Sequence, residues 1–128
     1  DLALLRASQR GRPMGLFTDE VRAPADAAWL AAPLWRLLLG HDLPAIAKQA
    51  RIYHLAGNQA VSRFEMGKQV CKIAGVPFEH GRSTLSEWQG IPRPPRLVLT
   101  CHRAQRELGF VPPDLRQSLA WVNHFPLD

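Results

Sequence analysis

The residues able to do covalent or metal chemistry are scattered along this sequence rather than grouped. Cys101 and His102 are adjacent, and neighbouring side chains on a helix diverge, so they are not expected to share a metal ion. Cys71 and Cys101 lie 30 positions apart and outside any Cys-x-x-Cys pattern; both are expected as reduced thiols in a reducing compartment. No Gly-x-Ser-x-Gly is present to raise a serine nucleophile. Asp19 and Glu20 are adjacent in a polar loop, exposed by pattern, where successive side chains point apart. Glycosidase chemistry needs two carboxyl groups facing one another across a bond, so it is not expected of this pair. His54 falls in a predicted strand beside a glycine turn and is expected to be packed or hydrogen-bonded rather than a general base.

What remains is positive charge. Sixteen lysines and arginines against eleven acids leave a formal net charge of +5. That admits anionic partners: a nucleotide diphosphate, a nucleic acid or an acidic surface. The cations are dispersed, without the basic run or stripe that nucleic-acid binding would use, so nucleic acid is not the expected partner. At 128 residues and 46% hydrophobic content the chain is expected to form one soluble globular domain over 1–128. There is no signal peptide, and no apolar run reaches the roughly 18 residues of a membrane span. A cytoplasmic location is the expectation. The chain opens on Asp1 rather than Met, and it reads as a fragment, a processed product or a trimmed chain.

The elements that must position these side chains are organised around Arg51 to Gly75. Ile52, Tyr53 and Leu55 predict a strand, and Gly57-Asn58 ends it. Ser62-Arg-Phe-Glu65 is a capping box that opens a helix. Phe64, Gly67, Cys71 and Ala74 share one face of that helix with Val70 beside them, and Gly75 suits a left-handed cap. Before this unit, residues 1–9 predict a helix stopped at Gly11-Arg-Pro13, 14–17 a short strand, and 18–22 a polar loop. A helix from Pro24 or Ala25 to about Leu39 carries Leu30, Leu34, Leu37 and Leu38, with Trp29 and Trp35 widening the stripe. A helix apolar on most sides is buried or covered by a partner. Gly40 would cap it, His41 to Pro44 would turn, and 45–49 would form one helical turn. After the unit, 76–81 reads as loop, 83–88 as a short helix, Gly90 to Pro95 as a connector, and 97–99 as a strand. Thr100 caps a helix ending at Gly109, and Asp114-Leu-Arg-Gln117 is a second capping box before Leu115, Leu119 and Val122.

Three stretches, in this order, carry a family likeness. Gly15-Leu-Phe-Thr-Asp-Glu-Val-Arg-Ala-Pro24 resembles a strand, Asp, Gln/Glu, linker and Ser-Pro. The central Ile-Tyr-His-Leu-Ala-Gly with Ser-Arg-Phe-Glu resembles strand, His-Leu-Ser/Ala-Gly, then Ser-Arg-Tyr-Glu. Arg93 to Phe110 resembles Arg-Pro, strand, Asp-Thr-Ser-Lys and Leu-Gly-Phe/Tyr. Together they resemble the extended short-chain dehydrogenase/reductase superfamily, in its dTDP-4-dehydrorhamnose reductase-like branch. The superfamily's Gly-x-x-Gly-x-x-Gly loop and its Tyr-x-x-x-Lys pair do not occur in this sequence; the one tyrosine, Tyr53, is followed by Gly57 four residues on. The resemblance therefore implies an α/β fold, the C-terminal substrate-binding portion of such an enzyme, lacking the N-terminal Rossmann core. The helix and strand over about Pro24 to Leu55 would normally complete the dinucleotide-binding sheet.

The same resemblance implies the function. The parent would be an NAD(P)-dependent sugar-nucleotide reductase, or an epimerase or dehydratase, and this portion would grip a nucleotide-diphosphate sugar. It would carry no catalytic, metal or cofactor-binding residue and bind no NAD(P) alone. Arg22 falls where sugar-nucleotide epimerases of the superfamily carry a diphosphate-binding arginine, and Arg93 matches the first arginine of the Arg-Pro segment. A guanidinium fork suits phosphate oxygens, because it offers paired donors. The sequence departs from the family at Trp29, where Asp is common, at Phe64, where Tyr is, and at Thr100 to Arg103, where Asp-Thr-Ser-Lys is. The alternative is a non-catalytic regulatory or binding protein of the same fold, like the methionine adenosyltransferase β subunit. Upstream sequence bearing the glycine loop and the Tyr/Lys pair would separate the two. The apolar helix and the unpaired edge at Ile52 lead us to expect self-association, an exchanged-element dimer, or dependence on the missing N-terminal portion.

Overall fold

Ser62 begins a helix as predicted, but only its half of the expected capping box forms, and Glu65 pairs with Lys68 instead of the Ser62 N–H. In a computed structural model, which describes residues 2–39 and 52–124, α3 runs Arg63–Ala74, and the Ser62 hydroxyl accepts from the Glu65 N–H at 3.1 Å. Gly75 closes it in the left-handed region at φ 68°. In chain order the other elements are α1 (Leu2–Gln9), β1 (Gly15–Phe17), β2 (Val21–Arg22), α2 (Ala27–Leu39), β3 (Val61–Ser62), β4 (Gly81–Ser83), β5 (Arg96–Leu97), α4 (His102–Leu108) and α5 (Leu115–Ser118). Short 3-10 turns occupy Leu85–Glu87 and Ala120–His124. The chain divides into two compact units, each assembled from separate stretches. The expected features over residues 40–51 lie outside the described residues.

The first unit joins 1–22, 60–98 and 119–128. Its core is where α1 meets α3: Leu4, Leu5, Val70 and Cys71 are all fully buried. Gly67 lets α1 and β1 approach closely: a Cβ there would stand 2.7 Å from Leu16 Cδ1 and 3.4 Å from the Phe78 ring, so the Leu16 side chain would have to shift. Phe78 meets Phe64 edge-on at 5.3 Å and His80 at 5.2 Å. β1 pairs in parallel with β4, and β2 lies between antiparallel β3 and parallel β5. Neither β2 nor β4 was expected, because each is only two or three residues long and shows no alternation. The strand expected at 97–99 is Arg96–Leu97, in register with Val21 and Arg22.

His80 ties this unit together through both ring nitrogens. The Met14 N–H donates to Nδ1 at 3.1 Å, so Nε2 carries the ring proton and donates to Ser8 Oγ at 2.7 Å. Ser8 in turn donates to the Leu4 carbonyl and lies 3.3 Å from Cys71 Sγ. Replacing His80 with leucine leaves the Met14 N–H without its acceptor. We expect a loss of about 1–3 kcal/mol, read as a lowered urea midpoint with unchanged slope; an unchanged midpoint would mean that this donor finds another partner.

The second unit joins 23–59 and 99–118. Ala56, Cys101, Ala104 and Phe110 form its buried centre, with Leu30, Tyr53, Leu55 and Leu108 packed around them. The predicted strand at 52–55 is not formed. Tyr53 and Leu55 are partly buried and Ile52 and His54 exposed, the alternation of an extended chain, but this stretch joins no ladder. It is held instead by the Ala56 N–H on Cys101 Sγ at 3.3 Å, Gly57 on the Ala23 carbonyl and Asn58 on the Pro113 carbonyl. α2 starts at Ala27 rather than at Pro24 or Ala25 because Asp26 caps it, its carboxylate accepting from the Ala28 N–H at 2.8 Å. Pro33 is the one buried residue of α2. Trp35, Leu38 and Leu39 are exposed by 59%, 64% and 75%, so the apolar face that was expected to need a partner stands open here. α4 begins at His102 with Cys101, not Thr100, at its N-cap; the thiol is turned to Ala56 and caps nothing. The Asp114–Gln117 box forms in both directions, at 2.7 and 2.9 Å.

Candidate anion-binding site

β2 is two residues long, yet it brings three arginines of the first unit to one carboxylate. It pairs with β3, whose end leads directly into Arg63, and with β5, which follows the proline-rich connector that carries Arg93. Both partners therefore deliver an arginine beside Glu20, the residue just before β2. Glu20 is 1% exposed. Its Oε1 lies 2.8 Å from Arg22 Nη2 and 2.8 Å from Arg93 Nη2, and its Oε2 lies 3.6 Å from Arg63 Nε. The Glu20 carbonyl also accepts from the Arg63 backbone N–H at 3.1 Å. A carboxylate withdrawn from water needs paired cations, and here it has three.

The arginines are held from other directions too. Arg22 Nη1 donates to the Val21 carbonyl at 2.7 Å. The Arg93 guanidinium lies 5.6 Å from the centre of the Phe17 ring and 5.5 Å from that of Trp88, within cation–π range. Those rings meet edge to face, and the Trp88 indole donates to the Ile91 carbonyl at 2.9 Å. Each arginine keeps an open edge, with side chains 25%, 38% and 34% exposed for Arg22, Arg63 and Arg93. Guanidiniums fixed on one side and open on the other are preorganised for phosphate or carboxylate oxygens.

The structure thus brings Arg22 and Arg93 onto a single carboxylate oxygen. Glu20 and Arg63 were not singled out from the sequence. Glu20 was expected to be exposed alongside Asp19, and that reading is corrected: Asp19 is exposed and its carboxylate accepts from the Leu85 N–H, while Glu20 turns inward. No local signal in the sequence would have found it, because Arg63 and Arg93, which face it, come from segments distant in sequence. His54 is exposed, and the Tyr53 hydroxyl donates to Glu107 Oε2 at 2.7 Å. Among the described residues no group of three His, Cys, Asp or Glu is placed to hold a metal, and no helix is long and apolar enough to cross a membrane. In the second unit a shallow, mostly apolar groove of about 160 Å³ lies by Trp29, Pro33, Arg36 and Phe110.

The mixed α/β fold is that of the substrate-binding portion of dTDP-4-dehydrorhamnose reductases. The Bacillus anthracis str. Ames enzyme, solved in complex with NADP, superposes with a TM-score of 0.79 at 16% identity, over 93% of this chain and 40% of its own. The Yersinia enterocolitica enzyme gives 0.77 at 12% identity, over 97% and 42%. RMD from Pseudomonas aeruginosa, complexed with NADPH, gives 0.64 at 19% identity, over 95% and 39%. The chain thus spans about 40% of the length of these solved relatives. The family model described as RmlD substrate binding domain matches residues 2–124, and the chain belongs to that family. No curated protein matches it.

Proposed function

We propose that this chain is the nucleotide-sugar-binding part of an NAD(P)-dependent sugar-nucleotide reductase of the dTDP-4-dehydrorhamnose reductase type, with Arg22 and Arg93 holding the diphosphate. The observation that carries the reading is the pair of guanidiniums, each 2.8 Å from one buried carboxylate oxygen and each with an open edge. Family membership supports the ligand class, and the NADP and NADPH complexes of the relatives support the cofactor of the whole protein. In this reading residues 1–128 supply no group to the hydride transfer and bind no nicotinamide cofactor by themselves. The open face of α2, at Trp35, Leu38 and Leu39, would then meet the cofactor-binding portion of a longer chain.

The exposed α2 face also favours a second reading, a regulatory or binding protein of the same fold that docks a protein partner there. Calorimetry with dTDP-glucose tests the first reading. The full-length protein should show saturable, enthalpically resolved binding, and residues 1–128 should leave NADPH fluorescence unchanged. Absence of nucleotide-sugar binding to the full-length protein would favour the second reading. Saturable NADPH binding to residues 1–128 would contradict the assignment of the cofactor site to a separate portion.

A further inference from the structure

The two arginines assigned to the diphosphate leave open why their anchor is a carboxylate. One acceptor oxygen faces both: Arg22 donates to Glu20 Oε1, and Arg93 Nη2 pairs with the same atom at 2.8 Å. The second oxygen is buried and accepts no hydrogen bond, with Arg63 Nε 3.6 Å away. For hydrogen bonding alone a neutral amide would serve. What the second oxygen adds is charge, and it sets the total: three guanidiniums and one carboxylate leave the cluster at +2. Buried charge of this kind is poorly screened by salt and acts on whatever anion sits across the guanidiniums.

Resting on the nucleotide-sugar reading, we propose that Glu20 is a specificity-determining residue that selects a diphosphate diester over a free nucleoside diphosphate. The diester of a nucleotide-sugar carries two negative charges, equal and opposite to the cluster. A free nucleoside diphosphate has a terminal phosphate whose second proton leaves at roughly pH 6, so at pH 8 it carries a third. Glu20 repels that third charge, and Arg63, whose side chain is 38% exposed, offsets part of the repulsion. Sugar contacts add to the preference but do not depend on the charge of residue 20.

The test is the ratio of Kd for dTDP to Kd for dTDP-glucose, measured by calorimetry at pH 8 on the full-length protein. The nucleoside is common to both ligands and cancels in the ratio. Glu20→Gln should shift the ratio toward dTDP by about three- to tenfold, the size expected for one charge a few ångströms away in a half-solvated site. Arg63→Gln should shift it the opposite way. A purely structural role for Glu20 would weaken both ligands alike and leave the ratio fixed, which overturns the proposal. If Glu20→Gln does not fold, Arg63→Gln decides: a ratio moved away from dTDP supports the proposal, and an unmoved ratio overturns it. Wild-type protein that binds neither ligand would overturn the nucleotide-sugar reading and this inference with it; binding with unmoved ratios overturns this inference alone.

Discussion

Replacing Arg22 with alanine is expected to weaken nucleotide-sugar binding by the full-length protein by about tenfold to a hundredfold. The estimate rests on one charge-assisted hydrogen-bonded contact, worth about 1.5–3 kcal/mol, with about 1.4 kcal/mol per factor of ten. The geometry makes Arg22 the most constrained of the three arginines. It is the least exposed, it shares Glu20 Oε1 with Arg93, and its second terminal nitrogen is tied to the Val21 carbonyl. Its position is therefore set before ligand arrives, and little side-chain entropy remains to be lost on binding. Arg22→Lys should recover only part of the affinity, because an ammonium cannot bond Glu20, the Val21 carbonyl and a phosphate from one plane. Calorimetry giving equal affinity for wild type and Arg22→Ala would return Arg22 to the role of a surface ion pair.

Gly57→Ala is expected to be the most damaging single methyl in the second unit. A Cβ at position 57 would stand 2.0 Å from the Pro24 carbonyl oxygen and 3.3 Å from that of Pro113. Both obstacles are backbone, so no side chain can swing aside. Relief requires the 52–59 stretch to move away, which lengthens the Gly57 and Asn58 hydrogen bonds to the Ala23 and Pro113 carbonyls. Pro24 is pinned as well, its carbonyl accepting from Ser118 Oγ at 3.1 Å. Overpacking costs about 1–3 kcal/mol, and two weakened hydrogen bonds add roughly 1 kcal/mol each. The sum is a large part of the 5–15 kcal/mol expected of a whole domain. Thermal denaturation should show a Tm lower by about 10 °C or more. A Tm within a degree or two of wild type would mean that the Pro24 segment yields easily.

These two positions show where sequence was informative and where it was not. Several caps were legible because each is a local device: the Ser62 hydroxyl, Asp114 with Gln117, and the left-handed Gly75 and Gly109 all act within a few residues, whereas Thr100 was misread as a cap. Arg22 and Arg93 were singled out through family likeness, and the structure brings both to Glu20; their role toward a ligand is the proposal made above. Glu20 was not singled out, since what buries it is the meeting of three segments distant in sequence. Gly57 was noticed as the end of a strand, but its importance lies in how near Pro24 and Pro113 come, and spacing carries no trace of that approach. The strand expected at Ile52 to Leu55 failed for a similar reason. Its residue types suit a ladder, but pairing needs a neighbour, and the nearby chain offers the stretch only isolated bonds. Asp26 rather than Pro24 opens α2 because a carboxylate accepts from the first N–H groups, a local signal that was open to reading.

Neither unit is written as one continuous stretch of chain. The first needs 1–22, 60–98 and the residues from Leu119 onward, and the second needs 23–59 with 99–118. A chain emerging from a ribosome would therefore hold α1 and β1 without their partners until α3 and β4 were made, and α2 without a core until Phe110 had appeared. Both parallel pairings, β1 with β4 and β2 with β5, join segments more than sixty residues apart. Closing loops of that size ahead of any compensating contact is slow. The apolar side chains of α1 and α2 are thus on display for most of synthesis, and this is the interval in which the chain is most exposed to chaperone capture or to association with its neighbours.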